Sequence, residues 1–320
     1  MTSRPAVRVE PPDTRLGSLQ ACIEQVFVGK SEVVKQSLVA FLAGGHLLIE
    51  DVPGVGKTTL ALGVAKSVGC TFQRIQFTSD LLPSDILGVS MLNAKTQTFE
   101  FRKGPLFHQI ILADELNRAT PRTQSALLEA MNERQVTVDN ETFILPTPFF
   151  VVATQNPHEH HGTFPLPESQ LDRFMMRLSI GYPDPENERL ILSMGSESDP
   201  LKPLESRLTG VELVHEMEKV HHIRVAPVLD DYILALIQAT RSAAGVEVGV
   251  SPRGAIALRR ASQARALLEG RDHVIPDDVK ALAIAVLAHR LIFSSDQVSN
   301  LRLHSERLLS SLLQQVAVPI

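Results

Sequence analysis

A lysine and two threonines that close a glycine-bearing loop could hold a phosphate group, and the chain carries such a set at Asp51-Val52-Pro53-Gly54-Val55-Gly56-Lys57-Thr58-Thr59. Backbone N–H groups can converge on phosphate oxygens only where no Cβ intrudes, which is what glycine supplies. A helix starting at the lysine adds partial positive charge, Lys57 can reach the outer phosphates, and the Thr58 hydroxyl can face Mg2+. The apolar run His46-Leu47-Leu48-Ile49 before the loop and the helical pattern Leu60 to Ala65 after it complete a strand, loop and helix of the phosphate-binding kind. One position departs from the usual pattern: Asp51 stands where the first glycine is normally written. A bare Gly-Lys-Thr arises by chance in soluble proteins, so other residues must support the assignment.

Four further positions could complete nucleotide chemistry. Asp114-Glu115 follows the apolar stretch Gln109 to Ala113. Hydrolysis needs a metal beside the phosphates and a base that orients water, and adjacent carboxylates can divide those tasks, Asp114 towards metal and Glu115 towards water. An exposed acidic strand end is the plain alternative, weakened by the phosphate loop upstream. Asn156, after the next apolar strand, could position water or the γ-phosphate, or simply form a turn before Pro157. Arg173 in Leu171-Asp172-Arg173-Phe174 could reach a neighbouring subunit's phosphate, or form an intrachain salt bridge with Asp172 or another carboxylate. Arg253 follows Ser251-Pro252, a good helix cap and first turn, where a cation opposes the helix dipole unless an anion lies near; a solvated arginine is the alternative. His158-Glu159-His160-His161 has ligand-type side chains but no regular spacing and no distant partner, so it reads as loop decoration rather than a zinc site. Gly-x-Ser-x-Gly and His-Glu-x-x-His motifs are missing, which disfavours those hydrolase classes.

The elements that must position these groups follow from periodicity and punctuation. Helical spacing runs from Leu16 to about Leu42, broken at Val28-Gly29, and Gly44-Gly45 ends it before the first strand. Phe72 to Phe77, Gln109 to Ala113 and Phe149 to Ala153 read as strands, with Thr120-Pro121 opening a helix between the last two. Two hairpins are expected: Val89–Leu92 with Thr98–Arg102, and Gln135–Val138 with Thr142–Leu145. Strands alternating with helices, with polar residues after strand ends, predict an α/β domain with a mostly parallel sheet. Past Gly181-Tyr182-Pro183-Asp184-Pro185 the pattern turns helical, as in Leu229–Thr240, Pro252–Leu268 and Pro276–Arg290. The expected organisation is a flexible tail at 1–15, an α/β core at 16–182 and a smaller all-helical domain at 183–320.

A length of 320 residues suits two domains, and 44% hydrophobic with 21% charged residues excludes a disordered chain. The net charge of -5 gives no general attraction to nucleic acid or anionic membranes. Cys22 and Cys70 lack metal-type spacing and read as thiols in a reducing compartment. No signal-peptide core and no membrane-length apolar span is seen, so a cytoplasmic location without membrane insertion is expected.

With these residues in place, the chain resembles the MoxR family of AAA+ ATPases. The resemblance rests on Glu50 to Thr58, Ala113-Asp114-Glu115-Leu116-Asn117-Arg118-Ala119, Ala153-Thr154-Gln155-Asn156-Pro157, Gly162 to Phe174 and Val250-Ser251-Pro252-Arg253, in the family's order, and spans Leu16 to beyond Arg290. An acidic residue at position 51 looks normal for such proteins. The resemblance implies a three-layer α/β nucleotide-binding core with a helical lid. It implies ATP held by Pro53, Gly54, Val55, Gly56, Lys57, Thr58 and Thr59 of the Walker A segment, with Val28 and Gly29 near the adenine. Mg2+ would be held by Thr58 and Asp114. Catalytic parts would be Glu115 of Walker B, Asn156 as sensor 1, Arg173 as a trans-acting arginine finger and Arg253 as sensor 2. The hairpin after Gly88 looks like the helix-2 insertion, and the Gln135–Leu145 hairpin like the pre-sensor insertion, both facing a pore or partners.

The implied protein is an ATP-hydrolysing homo-oligomer, a hexameric ring, that acts as a chaperone-like remodelling or maturation factor on protein clients. Proteins with a von Willebrand factor A domain are among the partners expected. Two other classes share these motifs. A helicase-type motor would need nucleic-acid contacts, against which stand the acidic balance and the poor phosphate ligands Thr137, Asp139, Asn140 and Glu141. A nucleotide-switched scaffold would bind ATP but scarcely hydrolyse it.

Overall fold

Five parallel strands carry the phosphate loop and the acidic pair in this computed structural model, which describes residues 14–157, 162–194, 204, 206–294 and 300–319. The His158–His161 loop and most of the N-terminal tail lie outside the described residues. Helices α1 (Thr14–Glu24) and α2 (Ser31–Leu42) precede β1 (Leu47–Glu50), and α3 (Lys57–Ser67) leads to β2 (Phe72–Gln76). Short α4 (Pro83–Leu87) opens the hairpin β3 (Gly88–Asn93) and β4 (Thr98–Lys103). Then come β5 (Ile110–Asp114), α5 (Pro121–Glu133), the hairpin β6 (Gln135–Val138) and β7 (Glu141–Ile144), β8 (Phe150–Gln155), α6 (Glu168–Leu171) and β9 (Met176–Leu178).

The sheet order is β2-β5-β8-β1-β9, so β8 lies between β5 and β1; Val152 pairs with both Leu47 and Leu112. Because successive side chains point to opposite faces, each strand feeds two cores. Leu47, Ile49, Ile110, Leu112, Phe150 and Val152 pack on one side with residues of α1, α2 and α3. Leu48, Ile111, Ala113, Val151 and Ala153 pack on the other with Leu127, Leu128 and Met131 of α5. Burial on both faces explains why these strands read as continuous apolar runs. The result is the expected three-layer α/β core. Strand β9 was not anticipated, since three residues between Phe174 and the Gly181 turn carry too little periodicity to read.

Both expected hairpins form, and they lean on each other through stacked Phe101 and Phe143 rings 3.9 Å apart. Phe99, Leu92 and Ile144 are left exposed on them.

The rest is mainly helical: α7 (Pro185–Met194), α8 (Gly210–Lys219), α9 (Pro227–Ser242), α10 (Pro252–Leu268), α11 (Pro276–Leu287) and α12 (Leu301–Gln315). It is not purely helical. A short antiparallel pair, β10 (Val246–Val248) and β11 (Ile292–Phe293), ties the segments after α9 and α11. These pieces are too short to show alternation in the sequence. The helical region and the sheet share one hydrophobic cluster, which runs from Leu38, Ile49 and Leu60 to Leu236, Leu282 and Leu309.

His46, just before β1, is buried and bridges two layers. Its Nε2 lies 3.1 Å from the Met131 carbonyl oxygen and its Nδ1 accepts the Val151 N–H at 3.1 Å. Both contacts are satisfied by the neutral tautomer protonated on Nε2. Burial pushes this imidazole down from 6.5 to about 4. A folded pKa below the unfolded one means that stability is fully present above pH 6.5 and is lost as pH falls towards 4. In urea titrations, the stability advantage of the wild type over His46→Gln should therefore shrink by about 2 kcal/mol between pH 7 and pH 5. A difference that does not vary with pH would contradict this.

Candidate nucleotide site

The carboxyl ends of β1, β5 and β8 lie side by side, so the loops that follow them open on one crevice. Pro53, Gly54, Gly56, Lys57, Thr58, Asp114, Glu115 and Asn156 line a cavity of about 390 Å3 there, together with Arg74. Eight residues singled out in the sequence are thus brought together from three strand ends. Gly54 and Gly56 have φ of 85° and 90°, the left-handed region in which a side chain is strained. A Cβ on Gly56 would also sit 3.1 Å from the Phe27 ring. Lys57 starts α3 and donates from Nζ to the Asp51 carbonyl oxygen at 2.6 Å.

The acidic pair is held by groups that the sequence did not single out. Thr154 on β8 donates its hydroxyl to Asp114 Oδ1 at 2.6 Å and accepts the Glu115 N–H at 2.9 Å. Glu115 has φ 57°, unusual for a non-glycine residue, and that turn aims its side chain into the cavity rather than along β5. Arg74 binds Asp114 Oδ2 through Nη2 at 2.6 Å and Nε at 3.2 Å. Gln76 donates to Glu115 Oε2 at 2.8 Å, and Arg118 reaches the same oxygen at 3.1 Å. Arg74 and Gln76 flank buried Ile75, and Gln76 pairs in register with Asp114. Two long polar side chains at alternate positions of one strand were the available signal.

Other expected residues fall elsewhere. Val55 is buried in the core, and Thr59, on the first turn of α3, does not line the cavity. Val28 and Gly29 form the turn between α1 and α2, where Gly29 lies against Asn187 of α7. Arg173 lines a second cavity of about 240 Å3 with Ser125, Leu128, Glu129, Asn132, Glu133 and Gln170. Arg253 donates from Nη2 to Asn132 Oδ1 at 2.8 Å, so it joins that side of α5. The two cavities share no lining residue. The Arg173–Asp172 pair weighed from the sequence does not form; Asp172 is bound by Arg290 instead.

Residues 46–176 match the model of the ATPase family associated with various cellular activities (AAA), and residues 238–307 match that of the AAA lid domain. Over 305 residues, 95% of each chain, the sequence is 48% identical to the uncharacterized protein YeaC of Bacillus subtilis. It is 40% identical over 309 residues to Chaperone MoxR1 of Mycobacterium tuberculosis, covering 93% of this chain and 80% of that one. The chain belongs to the MoxR family of AAA+ ATPases. Its fold also matches the crystal structure of a protein of Cytophaga hutchinsonii provisionally described as an ATPase, with a TM-score of 0.87 at 35% identity over 96% of both chains. Nucleotide binding is a property of this family, and among the described residues no helix is long and apolar enough to cross a membrane. No cluster of three potential metal-ligating side chains of the His, Cys, Asp or Glu type occurs among the described residues either.

The acidic residue of this MoxR-family loop has a structural task. Asp51 Oδ2 accepts Ser179 Oγ at 2.8 Å and the Ile180 and Gly181 N–H groups at 2.7 Å each, while Oδ1 accepts Val52 N–H at 2.9 Å. Burial alone would raise its pKa, but the hydrogen bonds from Gly181, Ser179, Val52 and Ile180 outweigh that and hold it below the ordinary carboxylate value. The carboxylate thus ties the start of the phosphate loop to the segment after β9. Asp51→Gly, which restores the commoner loop sequence, should lower stability by about 2 kcal/mol because buried donors lose their acceptor. Asp51→Asn should cost less, since its amide oxygen still accepts. Urea midpoints check this, and an unchanged midpoint for Asp51→Gly would refute the assignment.

Proposed function

We propose that this MoxR-family protein hydrolyses ATP at sites shared between neighbouring copies in a ring, hexameric in the family's manner, and uses the cycle to remodel protein clients. The observation that carries the reading is the separation of the two cavities. Lys57, Thr58, Asp114, Glu115 and Asn156 converge on one, whereas Arg173 lines the other and Arg253 hydrogen-bonds Asn132 of its wall. A phosphate bound at Lys57 would therefore receive the arginines of another copy. Head-to-tail contacts of this kind close into a ring when the rotation between successive copies closes, as proposed for this chain.

The lining suits a nucleotide with Mg2+: two left-handed glycines, one lysine, and the hydroxyl and carboxylate of Thr58 and Asp114 on the same cavity. Thr58 and Asp114 would hold the metal, which when bound neutralises charge on the β- and γ-phosphates. For that, Asp114 must exchange the Arg74 guanidinium for the cation. Glu115 would accept a proton from the attacking water at a carboxylate oxygen, after releasing Gln76 and Arg118. Asn156 would orient that water or the γ-phosphate. Arg173 from the neighbouring copy would stabilise charge that develops in transfer, with Arg253 beside it.

The chaperone reading draws on the name of the Mycobacterium tuberculosis relative and on the exposed Phe99, Leu92 and Ile144 of the two hairpins. Their stacked phenylalanines would let the hairpins move as one piece. Clients with a von Willebrand factor A domain and a cytoplasmic setting belong to the same proposal.

Glu115→Gln should lower ATP turnover at least about 100-fold while ATP affinity stays near that of the wild type. With ATP, this variant should retain client proteins that the wild type releases. Full turnover in Glu115→Gln would remove the catalytic role. ATPase stimulation by DNA, with salt-sensitive binding and no retained protein, would replace the chaperone reading with that of a nucleic-acid motor.

A further inference from the structure

Arg290 follows α11 in the helical lid, and it is among the most deeply buried cations of the described chain, its side chain 3% exposed. A buried guanidinium is costly unless its N–H groups find acceptors. Here they do so on one short segment of the core. Nε donates to Asp172 Oδ1 at 2.7 Å. Nη2 donates to the carbonyl oxygens of Phe174 at 2.7 Å and Asp172 at 3.3 Å. Nη1 reaches the Met175 carbonyl oxygen at 3.2 Å and that of Val286 near the end of α11. The neighbouring His289 adds a contact from Nε2 to the Phe174 carbonyl oxygen at 3.1 Å. The backbone is therefore held immediately before and after Arg173.

The same hub reaches Arg253. Asp172 Oδ2 lies 4.0 Å from Arg253 Nε while its Oδ1 binds Arg290. A Cβ on Gly254 would meet Arg290 Cδ at 2.9 Å, so the first turn of α10 packs directly on this side chain. We infer that Arg290 is a positioning residue for the shared site: it fixes Arg173 of the core and Arg253 of the lid in one frame, so that each copy presents both arginines to its neighbour together. The inference rests on the shared-site reading above. It also means that the lid moves with the segment carrying its own Arg173. The planar fork of arginine serves several carbonyls at once, whereas lysine offers a single ammonium.

The test uses the full-length protein and ATP turnover in mixed preparations. Arg290→Lys alone should lose at least about tenfold in turnover through misplaced arginines, with affinity for a fluorescent ATP analogue unchanged. Mixed in equal amounts with Lys57→Ala, which keeps both arginines but lacks the phosphate-loop lysine, it should regain up to about a quarter of wild-type activity, the share of interfaces that pair an intact loop with intact arginines. Arg173→Ala mixed with Lys57→Ala is the control and should regain the same. Rescue of Arg173→Ala but not of Arg290→Lys would overturn the positioning role and leave the shared site standing. Failure of both mixtures would overturn the shared site and this inference with it. Wild-type turnover in Arg290→Lys alone would also refute it. If Arg290→Lys does not fold, Asp172→Asn carries the same test, because it removes the charged link between Arg290 and Arg253 while keeping the size of the side chain.

Discussion

The insertion of β8 between β1 and β5 is the constraint from which the candidate site follows. Parallel pairing of Val152 with both Leu47 and Leu112 sets three strand ends level with one another. The phosphate loop, the acidic pair and Asn156 belong to segments far apart in the chain, yet they meet because backbone hydrogen bonds leave these strands no other register. A one-residue slip would exchange the two faces of a strand and expose a core row, so burial on both sides enforces the alignment.

Local chemistry then shapes the site within that frame. Thr154 serves as an acceptor for the Glu115 N–H and a donor to Asp114, which supports the left-handed turn at Glu115. That backbone conformation costs about 1 kcal/mol for a residue with a Cβ, so a specific partner is needed to hold it. Arg74 and Gln76 occupy the oxygens on which metal and water chemistry would depend. Under the proposed roles of Asp114 and Glu115 these groups would have to be exchanged, which would couple nucleotide loading to movement of β2 side chains.

A second consequence concerns the lid. Its hydrophobic cluster is continuous with one face of the sheet, and polar contacts reinforce the joint at separate places. Arg302 of α12 donates to the Glu50 carbonyl oxygen at 3.1 Å, and Arg290 grips the segment around Arg173. The phosphate loop and the arginine-bearing side of the chain are therefore linked through the same helical body. In the proposed ring, displacement of the loop at one interface would be felt at the next.

Much was legible in the chain itself. Glycine spacing before Lys57-Thr58, apolar runs ending in Asp114-Glu115 and Asn156, and the turn residues of both hairpins identify elements whose local chemistry tolerates few alternatives, and all of them form. Strand β9 and the β10–β11 pair were not legible, because segments this short owe their existence to neighbours rather than to periodicity. The same holds for Arg74, Gln76, Thr154 and Arg290, whose partners in the acidic pair and at Asp172 lie 39 or more residues away. Asp51 marks the division well. The residues around it predicted a glycine-bearing loop between strand and helix, which forms with Gly54 and Gly56 in the left-handed region, since that backbone geometry is a local matter. Why an aspartate opens that loop was decided only by tertiary structure, which brings three distant donors onto its carboxylate.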